Sequence, residues 1–427
     1  MPPRGSGDNV GRLAKLSPVT TLSATLRRPG IPASAVRAAL WIAAVIIGWA
    51  LLDRESFAFG VYWFIGIAFG VILQRSRLCF AGAFRDLILL GDGRLLRAIL
   101  LGLAVATVGF ATLEARLVPD PSFGVNPNGP HIQPVGIATL VGGVAFGVGM
   151  VLAGGCVSGS LWRMGEGYLA SWVAMAGILV GLELANHTWA WWYDHDIRRR
   201  SALWLPAEIG FVPSVAVVLA ALGIAYLAVL WWESRSPRMP ELPPPPALPP
   251  MTVREHLERA WQSIASPQGW SYRTGAIALA VVSIVALAYQ VPLGVTGGLS
   301  LWADNVAGWF GQTALPLKGS DLLAGCTPGS GGWMTVRGAT VLGLVMGAFG
   351  ASWLSGEFRL RWPRTPSRFA QAAIGGVLMG YASVIAIGCT IGAFFSSIPS
   401  LAVAGWVYGG GLLLGAAVGV AMIKRLP

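Results

Sequence analysis

Gly155-Cys156-Val157-Ser158-Gly159 returns later in the chain as Gly388-Cys389-Thr390-Ile391-Gly392. The likeness extends upstream: residues 142–159 laid on residues 375–392 share nine of eighteen positions. The other two cysteines have the same local form, Cys79-Phe80-Ala81-Gly82 and Cys326-Thr327-Pro328-Gly329. All 4 cysteines of the chain therefore carry glycine three residues on, and with only 57 Gly in 427 residues this marks a repeated unit. Each half reads as a cysteine turn, two apolar helices, a second cysteine turn and one more apolar helix.

Composition says where such a chain lives. Hydrophobic residues make up 55% and charged residues 11%, with a mean hydropathy of +0.64, whereas soluble domains carry about 25% charged residues. Apolar windows long enough to span fall at residues 36–52, 57–74, 96–117, 135–153, 168–190, 213–232, 273–292, 337–355, 369–387 and 400–423. Gly298 to Gly311 is too short and carries Asp304, so it is expected to be interfacial or re-entrant. The fold class is an all-α polytopic membrane protein, about ten transmembrane helices in two inverted repeats with short re-entrant Cys-bearing helices.

A net charge of +11 and a pI of 10.1 would suggest nucleic acid in a soluble protein. Here the basic residues sit between spans, report orientation instead and imply no nucleic-acid partner. Placing both termini in the cytoplasm puts most of the 30 Lys and Arg inside, with Arg198-Arg199-Arg200 as the exception. Cys79 and Cys156 then fall at inner ends of spans, Cys326 and Cys389 at outer ends. Halves inverted in this way are typical of secondary transporters, whose substrate site lies near the midplane between repeats.

The expected divisions are a disordered cytosolic tail at 1–35, an extra N-terminal transmembrane helix at 36–56 and a first transmembrane half at 57–232. A Pro-rich cytoplasmic linker at 233–271, holding Pro243 to Pro246, leads to a second transmembrane half at 272–427. Within the linker, Thr252 to Ile264 has the pattern of a short amphipathic surface helix. Phe80 to Leu90 is apolar but too brief to cross, which fits a re-entrant half-helix. Glu183 and His187 stand four apart and share a helical face. A proton-coupling pair is one reading; anchoring beside Trp189, Trp191 and Trp192 in an aromatic belt is the favoured one.

The cysteine turns are the candidate site. Their glycines allow φ > 0 or close backbone approach, and half-helices starting there would aim N–H groups inward and favour an anion. Irregular backbone at membrane depth is tolerated where it is buried or lines a wet cavity. A substrate pathway is therefore expected along Cys79, Cys156, Cys326 and Cys389 with Gly155, Gly159, Gly388 and Gly392. No close cysteine pair suggests a disulfide framework, no His and few Met accompany the thiols for a soft metal, and the chain has neither a catalytic triad nor a Gly-rich ATPase loop. No catalytic residue, metal ligand or cofactor is assigned.

On Cys79, Cys156, Cys326 and Cys389, with the Gly-Cys-x-x-Gly turns and two inverted halves, the chain resembles the YeeE/YedE family of sulfur transporters over roughly residues 57–424. The resemblance implies a fold pinched from both faces, with uptake of thiosulfate or a related small sulfur anion across the bacterial inner membrane. Thiols would pass the sulfane sulfur through S–H···S contacts, and a small cytosolic TusA-like sulfur carrier is the implied partner beside the lipid bilayer. On this reading the protein is not an enzyme. The alternative is a membrane thiol enzyme transferring or reducing sulfur or selenium species, in which one cysteine acts as a low-pKa nucleophile.

Overall fold

A computed structural model describes residues 33–123, 126–127, 129–236, 269–311, 318–319 and 332–425. Cys326 with its Gly329, the tail through residue 32 and the linker stretch 237–268, including Thr252 to Ile264, lie outside the described residues. Among the described residues there are helices and isolated β-bridges but no strand. Ten helices among the described residues are long and apolar enough to cross a membrane.

These ten are α1 (Ala33–Asp53), α2 (Phe57–Ser76), α4 (Arg94–Leu117), α5 (Ile137–Leu152), α7 (Leu169–His195), α9 (Phe211–Arg235), α10 (Tyr272–Tyr289), α12 (Val336–Leu354), α13 (Ser367–Ile385) and α14 (Val403–Ile423). Each coincides with a window read from hydropathy. Between them lie the shorter α3 (Phe80–Leu90), α6 (Val157–Glu166), α8 (Leu205–Ile209) and α11 (Thr296–Trp309). At 14 residues α11 rises about 21 Å, short of the ~30 Å hydrocarbon core. Side-chain caps fix several starts: the Ser56 hydroxyl accepts from Ala58 N at 3.3 Å and the Thr335 hydroxyl from Gly338 N at 3.1 Å.

Glycine sets which helices touch. Between lipid-embedded helices apolar side chains gain little from burial, so close backbone approach decides the pairing. A Cβ on Gly70 of α2 would stand 2.0 Å from Leu344 O of α12, and one on Gly147 of α5 would stand 2.6 Å from Leu412 O of α14. One on Gly181 of α7 would meet Val377 O of α13 at 2.1 Å. The register rises together along each of these pairs, so they run parallel. Helices α5 and α13 instead run antiparallel, because Gly142 meets Ala386 while Gly149 meets Gly375. Both carry the twin motif of the sequence, and each delivers its Gly-Cys turn at its C-terminal end.

Helix α1 lies at the edge, with Leu40, Ile46 and Ile47 exposed. It is tied on by Trp41 Nε1 donating to Met346 O at 3.2 Å and by Trp63 Nε1 donating to Val45 O at 3.1 Å.

Candidate functional site: three cysteine turns and the charges beside them

Three long helices end in the same way. Two residues before each cysteine the backbone turns left-handed, at Arg77 (φ 53°), Gly154 (φ 75°) and Ile387 (φ 53°). The cysteine then caps a short helix: Cys79 caps α3, Cys156 caps α6 and Cys389 caps a π-helical turn over Thr390–Ser396. Each cysteine carbonyl accepts the first helical bond, from Ala83 N at 3.0 Å, Ser160 N at 2.7 Å and Ala393 N at 2.7 Å. The left-handed residue closes a Schellman-type cap at two of the three ends, with Leu78 N donating to Leu73 O at 3.2 Å and Gly388 N to Ser383 O at 2.7 Å. Glycine adopts this conformation freely, but an L-residue loses roughly 1–2 kcal/mol. Arg77 and Ile387 therefore hold strained turns.

Cys79, Cys156 and Cys389 are buried thiols, outside any disulfide among the described residues. Cys79 and Cys156 come together over Gly159. A Cβ on Gly159 would lie 2.9 Å from Cys79 Sγ and 3.3 Å from Cys156 Sγ, so the glycine three residues past the cysteine leaves room for two sulfurs. Close approach is its role, since its φ lies outside the left-handed region. Gly159 N donates to Cys156 Sγ at 3.4 Å, and the Ser158 hydroxyl lies 3.4 Å from the same sulfur. Cys156 also faces the Thr390 hydroxyl, which follows Cys389 in the chain. Phe80, next to Cys79, sets its ring edge-on to Phe394 and Phe395 at 6.3 and 5.8 Å between centroids. Three of the four sequence-predicted cysteines thus lie on one packed junction. Gly155, Gly388 and Gly392 belong to the same turns, and Gly388 (φ 152°) takes a backbone angle that favours glycine.

Cations flank the junction. Arg163 of α6 donates through Nη1 to Gly154 O, packs 5.2 Å from the Trp162 ring centroid, and its charge reaches Cys79. At the C-terminal end of α2, Arg77 Nη1 donates to both carboxylate oxygens of Glu166 at 2.8 Å. Glu166 is fully buried and also accepts from Arg361 at 2.9 Å. Glu357 accepts from Gln74 at 2.8 Å, Arg75 at 3.3 Å and Arg77 at 3.2 Å. Burial alone would raise the Glu357 carboxyl, but the Gln74 hydrogen bond and the charges of Arg77 and Arg75 outweigh it and leave it below its ordinary range. This mesh joins the ends of α2 and α6 to the loop after α12.

On another side of the junction is His131, 1% exposed, with its Nε2 3.0 Å from where a Cβ on Gly388 would stand. That nitrogen has no hydrogen-bond partner among the described residues. Burial, then the Arg337 charge, pushes the imidazole down to about 3, so it is neutral at physiological pH. Glu183 and His187, the pair noted in sequence, approach to 3.6 Å. They are joined by Asp304 of α11, which accepts from Asn186 at 2.5 Å. Burial, then the Glu183 charge, pushes Asp304 up to about 7.

Sequence reasoning used Arg75, Arg77, Arg163 and Arg361 only to orient the chain, and passed over His131, Glu166 and Glu357. For Arg163 a signal existed: it stands one helical turn after Gly159, on the face that Gly159 shares. The partners Glu166 and Glu357 lie far apart in sequence and give no local sign.

A polytopic helical membrane protein whose long helices break at buried thiols, with arginines beside the breaks, is the class that fold and site define. The chain belongs to the sulphur transport family, whose pattern matches residues 75–418. It is similar to the thiosulfate transporter TsuA of Spirochaeta thermophila, with 29% identity over 360 residues, covering 80% of this chain and 92% of that one. TsuA of Escherichia coli is 27% identical over 345 residues, 80% of this chain and 88% of that one. The probable transporter YedE of Salmonella typhimurium is 28% identical over 236 residues, 54% and 55% of the two chains.

Proposed function

We propose that this protein takes up thiosulfate, or a closely related small sulfur anion, across the bacterial inner membrane along a path lined by its cysteine thiols. The reading draws on relatives named thiosulfate transporters. The observation that carries it is the meeting of Cys79 Sγ and Cys156 Sγ over Gly159, beside a turn that holds a third buried thiol. A terminal sulfur can accept weak S–H hydrogen bonds from one thiol after another. Such weak, repeated contacts suit passage better than one tight site. Arg163 and the arginines at the end of α2 lower the cost of moving a dianion past the junction.

In this reading both termini are cytoplasmic and the halves are inverted repeats. The antiparallel crossing of α5 and α13, each leading into a Gly-Cys turn, supports the inversion. The anion enters past His131 and the Cys389 turn, passes Cys156 and Cys79, and leaves beside Arg75, Arg77 and Arg361. Cys326 joins the path from the second half. A small cytosolic TusA-like sulfur carrier is the partner on the cytosolic side.

The test is uptake of labelled thiosulfate by cells lacking their own thiosulfate transport. Cys79→Ser, Cys156→Ser and Cys389→Ser should each cut the rate at least roughly tenfold, the loss of about 1.4 kcal/mol of barrier stabilisation, with expression unchanged. Wild-type uptake by all three variants would end the proposal. A persulfide trapped stoichiometrically on one cysteine would point to thiol chemistry instead.

A further inference from the structure

A groove of about 800 Å³ opens between α4, α9 and α10, and none of the cysteines lines it. Arg94, Arg97 and Arg273 stand at its mouth, while Leu101, Ala104 and Leu219 line its depth. Arg97 pairs with Glu233 at 3.2 Å and Arg94 with Asp92 at 2.7 Å. Arg273 makes no ion pair among the described residues, so the mouth keeps a net positive charge. Among the described residues the wall formed by α9 is open, because a Cβ on Gly223 would meet nothing within 4 Å.

The dimensions are those of one leaflet. From Arg94 to Ala104 α4 rises about 15 Å, half of the ~30 Å hydrocarbon core. The volume lies within the roughly 300–1,000 Å³ of small-molecule sites. Cations at headgroup depth over an apolar slot of leaflet length match an anionic phospholipid, with its phosphate at the arginines and an acyl chain along α9.

We propose that this groove binds an anionic phospholipid of the leaflet facing Arg273. The site is independent of the transport reading. Each arginine beside a headgroup contributes about fivefold in affinity, so Arg94→Ala with Arg273→Ala should weaken retention roughly 25-fold. Purified protein would be incubated with phosphatidylglycerol or phosphatidylcholine in detergent and weighed by native mass spectrometry. Wild type should keep phosphatidylglycerol and shed phosphatidylcholine. The double variant should lose that preference with an unchanged thermal midpoint. Gly223→Phe should fill the slot and expel lipid while leaving all three arginines in place. Equal retention of the two lipids, retention by the double variant, or displacement of the lipid by millimolar inorganic phosphate would each overturn the proposal. So would a groove closed by a second copy of the chain, seen as a lipid-free dimer.

Discussion

Gly82 and Gly159 occupy the same place in the motif, three residues past a cysteine, but their surroundings differ. A Cβ on Gly159 would sit 2.9 Å from Cys79 Sγ and 3.3 Å from Cys156 Sγ, whereas one on Gly82 would meet Leu95 Cδ2 at 3.5 Å and Asp86 Oδ2 at 3.7 Å. Both lie in helices, where Gly→Ala gains about 0.8–1.0 kcal/mol of propensity. At Gly82 little opposes that gain, so Gly82→Ala should be neutral or slightly stabilising. At Gly159 the methyl must push apart two sulfurs that are themselves buried, an overpacking cost of about 1–3 kcal/mol. Gly159→Ala should therefore range from near-neutral to about 2 kcal/mol less stable. On the proposed reading its effect on transport should be larger than on folding, because the displaced atoms are the two sulfurs proposed to line the path. Thermal midpoints in detergent and labelled-thiosulfate uptake in cells measure the two effects separately. Wild-type uptake by Gly159→Ala, or equal failure of Gly82→Ala, would refute the steric argument.

Three further outcomes follow from the same geometry. Removing Glu166, fully buried between Arg77 and Arg361, takes a carboxylate from Arg361 and leaves Arg77 with Glu357 alone; because both guanidiniums are partly exposed, Glu166→Ala should cost about 1–3 kcal/mol, and an unmoved thermal midpoint would discount the mesh. Gly147→Leu places a side chain where Leu412 O and Gly415 Cα already stand at 2.6 and 2.8 Å from the Cβ position, while Gly410 has nothing within 4 Å. The first should abolish monodisperse protein on size exclusion and Gly410→Ala should leave it unchanged, and equal behaviour would contradict the crossing. Asp304, raised from 3.8 to about 7, binds more proton folded than unfolded across that window, so its contribution to stability falls as pH rises from about 4 to 7. Asp304→Asn should flatten that part of the midpoint-against-pH curve, and an unaltered slope would exclude the carboxyl as its source.

The spans were legible because a run such as Val403–Ile423 has almost nothing but apolar and small residues, and length alone then dictates a crossing helix. The cysteine turns were legible as a repeat. Their mechanics were not: the left-handed residue two places before the cysteine is glycine in only one of three turns, and Arg77 and Ile387 are poor advertisements for such a backbone. The charged mesh was hidden for another reason. Arg77 and Glu166 are 89 residues apart, Arg361 and Glu166 195, and pairings across such distances are set by packing rather than by local pattern. Asp304 was noticed as a charge that spoiled a span, but its contact with α7 was not foreseeable from hydropathy.

Ile387 stands where its twin has Gly154, so the duplicated turn is matched in shape and unmatched in cost. A branched side chain held left-handed makes the Cys389 bend a loaded spring, while the Cys156 bend rests near its minimum. Whatever force parts the junction meets less resistance from the loaded side. On the proposed transport reading, the strained bends at Cys389 and Cys79 should yield first, with the Cys156 elbow as the fixed abutment against which they move.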